Sequence, residues 1–481
     1  MCCRLKQYED VLSSKEFRNF AEEKDYENTK HNLPMKKTLL TTLSLFAVFA
    51  TAMAQTDLNK PFGWTNCTSL TSGDDYTTKG GHAVASPKTV TLKATGNDDK
   101  NNIANAIKNN QIIILDGTNG DFTVSSPVGM SGMSNKTIVG INGAKICTKF
   151  YLTEEMRRAL DDANVKSAST SSGTGGKLSN GQSVSEEREL LTRQTLINLT
   201  GDNSETYRSA GVLKISSCTN IIIRNIKFVG PGPCDVGGSD LITATGNVHL
   251  WVDHCDFTDG QDGNFDLTNG CNFCTVSWCT FSYTERAYDH ANSNLVGSSD
   301  SNTSDEDKLN ITFAYNLWGK KCNQRMPMAR FGTIHLLNNY YNCPGASLCV
   351  NPRKNSEFLI QGNYFEEGVT RPFSQSSSKA YTFDGNYYAS WSSQPANKGT
   401  VSLPYAYTAI HADDAKKAVS LLAGATLSDP LDITGISTAV SHTVVDVQPA
   451  APSAAYNILG QRVADDARGL VIVNGRKILR R

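Results

Sequence analysis

Short apolar runs, each closed by an aromatic residue, recur through the second half of the chain. IRNIKF (Ile223–Phe228), VDHCDF (Val252–Phe257), VSWCTF (Val276–Phe281), FAYNLW (Phe313–Trp318), LLNNYY (Leu336–Tyr341), IQGNYF (Ile360–Phe365) and TFDGNYY (Thr382–Tyr388) share the pattern. Two positions before the closing aromatic, the later copies carry Asn316, Asn339, Asn363 and Asn386. The last aromatics follow one another at intervals of 23–24 residues, within the range of solenoid repeats. A short strand of β-branched and aromatic residues cannot bury its face alone. Stacked on the next coil, it buries that face and satisfies its backbone in a parallel ladder. The pattern predicts an all-β fold, a single-stranded right-handed parallel β-helix. Aromatics would stack in its core and asparagines would bond from coil to coil. The hairpin signals of an antiparallel sandwich do not recur at matching places.

Other periodicities surround this repeat. Asn101–Lys108 has helical character and precedes an apolar strand, Gln111–Leu115. A helix there would cover the open end of the first coil. Thr137–Ile146 reads as a further coil. The stretch 151–208 breaks the pattern, with helices expected over Glu154–Val165 and Ser185–Leu199 and a capping box of Ser183 with Glu186. Between them lies Ser/Gly-rich sequence, Ser167–Ser179, of flexible composition. This is a helical insertion, either a lid or decoration. Decoration is the favoured reading, because nothing in it suggests chemistry.

The two ends read differently. Met35–Ala54 has a lysine pair, an apolar stretch and Ala52-Met53-Ala54 as a cleavage site. That is the pattern of a secretory signal peptide, with Gln55 as the mature start. Its apolar run is short of the ~20 residues a membrane span needs. Residues 1–34 are then expected to be an extension ahead of the true initiator, Met35. The β-helix domain would occupy 55–435, a Val/Ala/Pro-rich linker 436–455, and a small β-patterned tail 456–481. The tail resembles the C-terminal sorting modules of type IX secretion substrates in Bacteroidetes-like bacteria. A strand pair completing the domain surface is the alternative.

With 46 basic and 47 acidic residues the net charge is −1. There is no global field for nucleic acid, so any grip on a polyanion must come from local clustering. Eleven cysteines follow residue 54, an odd number that forbids complete pairing. Cys255 and Cys279 read as small core residues. Cys271 and Cys274 have metal-type spacing, but no second such pair accompanies them.

The candidate chemistry lies between Asp240 and Arg353. Asp240, Asp262 and Asp266 fall just before or between expected strands. Carboxylates gathered on adjacent coils repel one another unless a cation sits among them. Oxygen-only ligands with room for water suit calcium. Arg325 and Arg330 flank Met326-Pro327-Met328-Ala329, and Arg353 follows on a later coil. Guanidinium forks match carboxylates bidentately, as a uronate chain would require.

WVDHC (Trp251–Cys255), DGNFD (Asp262–Asp266) and RMPMAR (Arg325–Arg330) together resemble the pectate lyases of polysaccharide lyase family 1. The resemblance covers most of Val212–Tyr388. It implies a secreted, monomeric, calcium-dependent enzyme that cleaves polygalacturonate by β-elimination. On it, Asp240, Asp262 and Asp266 would hold Ca2+, Arg325 would abstract the proton, and Arg330 and Arg353 would bind substrate carboxylates. Asp253 and His254 would be structural. The chain departs from the family pattern at Asn292 and Thr268, where members often carry substrate lysines. It departs again near Gly238, where some have a first acidic ligand; Asp235 could substitute. A galacturonan hydrolase would leave the arginines without a task. A calcium-independent pectin lyase would not need three such aspartates, and a non-catalytic polysaccharide-binding solenoid would not need Arg325.

Overall fold

The computed structural model describes residues 57–168 and 184–434, together with short strands between 455 and 480. The expected extension, signal peptide, capping box and most of the Ser/Gly-rich stretch and linker lie outside the described residues. The chain divides into two compact units, Met1–Ser437 and Thr438–Arg481.

Three parallel sheets make up the first unit. A long sheet has ten strands, from Thr89–Lys93 to Ala380–Asp384. A stacking sheet has nine, from Phe122–Val124 to Tyr387–Tyr388. A groove sheet has seven, from Val128–Ser131 to Asn351–Pro352. Each turn of the chain gives one strand to each sheet in sequence, as in Val248–Asp253, Asp256–Thr258 and Phe265–Thr268. This is the right-handed parallel β-helix that the repeat predicts.

The repeat sets the register. Phe228, Phe257, Phe281, Trp318, Tyr341, Phe365 and Tyr388 pair in order across the stacking sheet. Their rings stack at centroid separations of 5.2, 5.0, 5.6, 4.7, 4.2 and 4.9 Å, in the range of favourable aromatic contact. The asparagines form the expected ladder. The Asn316 N–H donates to Asn339 Oδ1 at 2.9 Å, that of Asn339 to Asn363 at 2.8 Å, and that of Asn363 to Asn386 at 2.9 Å. Each ladder residue follows a corner with left-handed backbone, as at Tyr315 (φ 56°) and Asn338 (φ 53°). The side-chain amides serve backbone groups that the corner would otherwise leave unpaired.

A helix, Lys100–Asn109, closes the first coil with Ile103, Ala106 and Ile107 buried. In the insertion, the two expected helices are present as Glu154–Asp162 and Val184–Thr200, and a short helix, Val165–Ala168, follows the first. A further helix, Ala412–Leu422, buries Ala412, Ala418, Val419 and Leu422 in a cluster with Tyr340 and Tyr364. The repeat gave no hint of it. All eleven described cysteines are unpaired and buried, Cys255, Cys271, Cys274 and Cys279 among them.

Arg224 is fully buried and spends every donor. Its Nε donates to Asp253 at 2.8 Å, Nη1 to the carbonyls of Pro430 and Asp432, and Nη2 to Leu58 O and Asn59 Oδ1. Asp253 also accepts from His254 Nδ1 and Ser277 Oγ, both at 2.7 Å. The WVDHC motif therefore pins segments near both ends of the described unit to the long sheet. The second unit is a separate antiparallel sheet of Ala455–Tyr456, Arg462–Val463, Gly469–Val473 and Arg476–Arg480.

Candidate active site

The groove sheet and the segments just before and after its strands carry all six candidate residues. Asp240 precedes the strand Ile242–Thr245, and Asp262 precedes Phe265–Thr268. Strand alternation buries Phe265 and Leu267 in the core and turns Asp266 outward, in register with Thr243.

Asp240 and Asp266 converge over Gly263. A Cβ built there would lie 2.8 Å from Asp240 Oδ1 and 3.3 Å from Asp266 Oδ1. Asp240 Oδ2 accepts from Thr243 Oγ1 at 2.9 Å, while its Oδ1 is buried without a hydrogen-bond partner. Asp266 Oδ1 accepts from the Leu295 N–H at 2.9 Å. Burial and the charge of Asp262 push the Asp240 carboxyl up to about 7. Burial and the charge of Asp240 hold Asp266 well above the usual range. Two buried carboxylates with an orphaned oxygen between them form a donor set that a hard cation fits.

Asp262 is turned differently. Its Oδ1 lies 2.7 Å from His290 Nε2, and His290 Nδ1 is 3.9 Å from Asp235. Burial pushes the Asp262 carboxyl upward, but the His290 bond and the positive charges of His290 and Arg325 outweigh it and leave the group below its ordinary value. As the side chains stand, no three His, Cys, Asp or Glu groups enclose an ion among the described residues. Asp240 and Asp266 could hold a cation directly. Asp262, whose charge acts on Asp240, is the third carboxylate beside them.

Arg325 is half-buried, with left-handed backbone at φ 62° and its carbonyl accepting from the Asn294 N–H. Its charge acts on Asp240, Asp262 and Asp266 alike, so it faces the acid cluster. Arg330 and Arg353 meet at a residue that sequence reasoning missed. Arg330 Nε and Arg353 Nη2 both bond Asp300, and Arg330 Nη1 donates to Gly297 O at 2.8 Å. His290 was missed as well. Its signal is a histidine two positions before Asn292, in the segment that leads back into the groove sheet. Asn292 is buried, with both side-chain polar atoms unpartnered. Gly238 offers no place for an acid, because a Cβ there would sit 2.1 Å from Gln261 Oε1.

The insertion packs beside this site. Arg188 pairs with Asp289 at 2.9 Å, and Asp289 accepts from the Asp235 N–H. Arg208 donates to Val236 O and Gly237 O, and Gln261 Nε2 donates to Tyr207 O. The loops bearing Asp235, Asp240, Asp262 and His290 are thus tied to it.

A family model for pectate lyases matches residues 162–428. The chain belongs to that family. Among relatives, pectate lyase A of Aspergillus niger is 35% identical over 237 residues, covering 47% of this chain and 68% of its own. Pectate lyase A of Emericella nidulans is 31% identical over 255 residues, covering 51% and 73%. A pectate trisaccharide-lyase of Thermotoga sp. (strain RQ2) is 36% identical over 163 residues; the match spans 32% of this chain and 42% of that protein. A solved pectate lyase of Bacillus sp. N165, in complex with trigalacturonate, aligns with a TM-score of 0.49 at 18% identity over 76% of this chain and 99% of that chain.

Proposed function

We propose that this family member is a calcium-dependent pectate lyase that cleaves α-1,4-galacturonan by β-elimination, releasing 4,5-unsaturated oligogalacturonides. The observation that carries the reading is Arg325 set against a buried carboxylate pair with an orphaned oxygen at Asp240. Asp240, Asp262 and Asp266 would hold the cation. When bound, calcium would engage a uronate carboxylate and draw charge from it, acidifying the proton on C5. Arg325, acting in its deprotonated form, takes that proton and becomes the charged guanidinium. Arg330 and Arg353, held as a pair by Asp300, bind neighbouring carboxylates with planar forks. Their charge, with that of Arg325, stabilises the enolate-like intermediate. The C4–O bond then breaks and leaves the C4–C5 double bond.

The substrate is a polysaccharide outside the cell, which agrees with the secretory signal read at 35–54. No helix is long and apolar enough to cross a membrane among the described residues. The test is purified protein on polygalacturonate, followed by the ultraviolet absorbance of the unsaturated product. Chelator should abolish the signal and calcium should restore it. Full activity in excess chelator would overturn the calcium assignment.

A further inference from the structure

The outward face of the groove sheet is a track. One row of side chains runs in register through Gly129, Lys214, Thr243 and Asp266, and on through Leu295, Met328 and Asn351. A second row runs through Ser131, Ser216, Thr245 and Thr268. The ladder amides of Gly297, Arg330 and Arg353 extend it. The acid cluster occupies the middle strands. Arg330 and Arg353 follow the strands on one side of it, and Lys214 lies two strands away on the other.

Lys214 is exposed, and no ion pair or hydrogen bond engages its side chain among the described residues. The other outward residues on its side of the cluster are neutral and small: Gly129, Ser131, Ser216, Thr243 and Thr245. Above Gly129 a Cβ would meet nothing within 4 Å. The Thr245 hydroxyl donates to Ser216 Oγ at 3.0 Å. Among the described residues, the result is a polar platform on which Lys214 is the one free cation.

We propose that Lys214 is a further substrate-binding residue, taking a carboxylate of the anionic polysaccharide about 10 Å from Asp266, two strand spacings along the track. This rests on the lyase reading. The lysine ammonium is a point charge on a flexible stem, so it can follow a carboxylate whose exact placement varies along the polymer. Cations on both sides of the acid cluster would keep the chain stretched across it.

The test compares the wild-type protein with Lys214→Ala, Lys214→Glu and Lys214→Arg. Readouts are retardation in polygalacturonate-containing gels, steady-state rates, and calcium titration by calorimetry. The KM for polygalacturonate should rise about threefold for Lys214→Ala and about tenfold for Lys214→Glu, consistent with one exposed charge contact. The kcat and the calcium affinity should stay within twofold. Gel retardation should weaken in the same order, Lys214→Arg should restore both, and added salt should shrink the differences. A Lys214→Glu variant that matches wild type in retardation and KM would overturn the proposal alone. A wild-type protein that yields no unsaturated product would overturn the lyase reading beneath it.

Discussion

At the residue scale, the site is organised by crowding among acids. Asp240 and Asp266 face each other over Gly263 with too little positive charge to hold both ionised. A proton therefore competes with any cation at this place. The Asp240 carboxyl is pushed up to about 7, so calcium affinity should fall as pH drops below that value. Calorimetry across pH 5 to 9 in two buffers of different ionisation heat would show proton release on binding; an affinity that does not change with pH would contradict the geometry. Arg325→Lys should lose nearly all turnover while polygalacturonate still retards the protein, because lysine keeps the charge but not the fork or its reach. A rate within a few fold of wild type would assign the base elsewhere. Four of the six candidate residues stand in two short motifs, DGNFD and RMPMAR, which a linear reading picks out, while Asp240 and Arg353 lie outside them. Asp300 and His290 were not legible, because each acts through a partner far along the chain. Asp300 gains meaning only where Arg330 and Arg353 meet, and His290 only where it touches Asp262.

At the scale of elements, the repeat predicted more than a fold class. It named the seven rings that stack and the four asparagines that bond in series. Such residues recur at a fixed interval, so a linear reading finds them. Asn339 makes the ladder testable. Its Oδ1 accepts from Asn316 N, and its Nδ2 donates to Phe313 O and Asn363 Oδ1. Asn339→Ala would strand buried backbone groups and should cost about 2–4 kcal/mol, read as a lower melting temperature with unchanged calcium affinity per folded molecule. The helix Ala412–Leu422 escaped because its apolar positions are mostly alanine, which gives a faint period. The ties between the insertion and the site escaped for a different reason. The insertion's helices were recognisable, but the ion pair from Arg188 to Asp289 links residues about a hundred positions apart. Arg188→Ala leaves Asp289 mostly buried without that partner. The segment 284–290 should then exchange amide hydrogens faster, while a control at an exposed position of the insertion, Arg158→Ala, should not change it. Equal exchange in both variants would return the insertion to decoration.

At the scale of the whole molecule, stability depends on charges kept in place and charges kept away. His335 is buried against Tyr405, with its Nδ1 2.8 Å from the phenol oxygen, and burial drives its pKa down to about 3. An unfolded histidine titrates near ~6.5. Between those values the unfolded chain binds the proton and the folded chain does not, so stability is lost as pH falls from about 6.5 toward 3. The slope is at most about 1.4 kcal/mol per pH unit from this group. Asp253, held below its usual value against the pull of burial by His254, Arg224 and Ser277, adds the same sign at the acid end. Melting temperatures from pH 7 to 4 should fall, and His335→Gln should flatten the upper part of that decline. A pH-independent melting temperature would count against both assignments.

The parallel register has one more consequence. Every functional group on the groove sheet belongs to a particular coil, and neighbouring coils are separated by one hydrogen-bonded step of about 4.8 Å. The fold is therefore a ruler with fixed graduations. Loops at the corners can lengthen or shorten without moving a mark, which is how a helical insertion can be accommodated between Lys145–Thr148 and Leu213–Ser216 while their coils remain in register. The distance from Lys214 to the acid cluster, or from the cluster to Arg353, can change only in whole steps. Diversification of such a protein must proceed by exchanging the side chain at a mark or by adding and removing entire coils, and never by sliding one group gradually along the track.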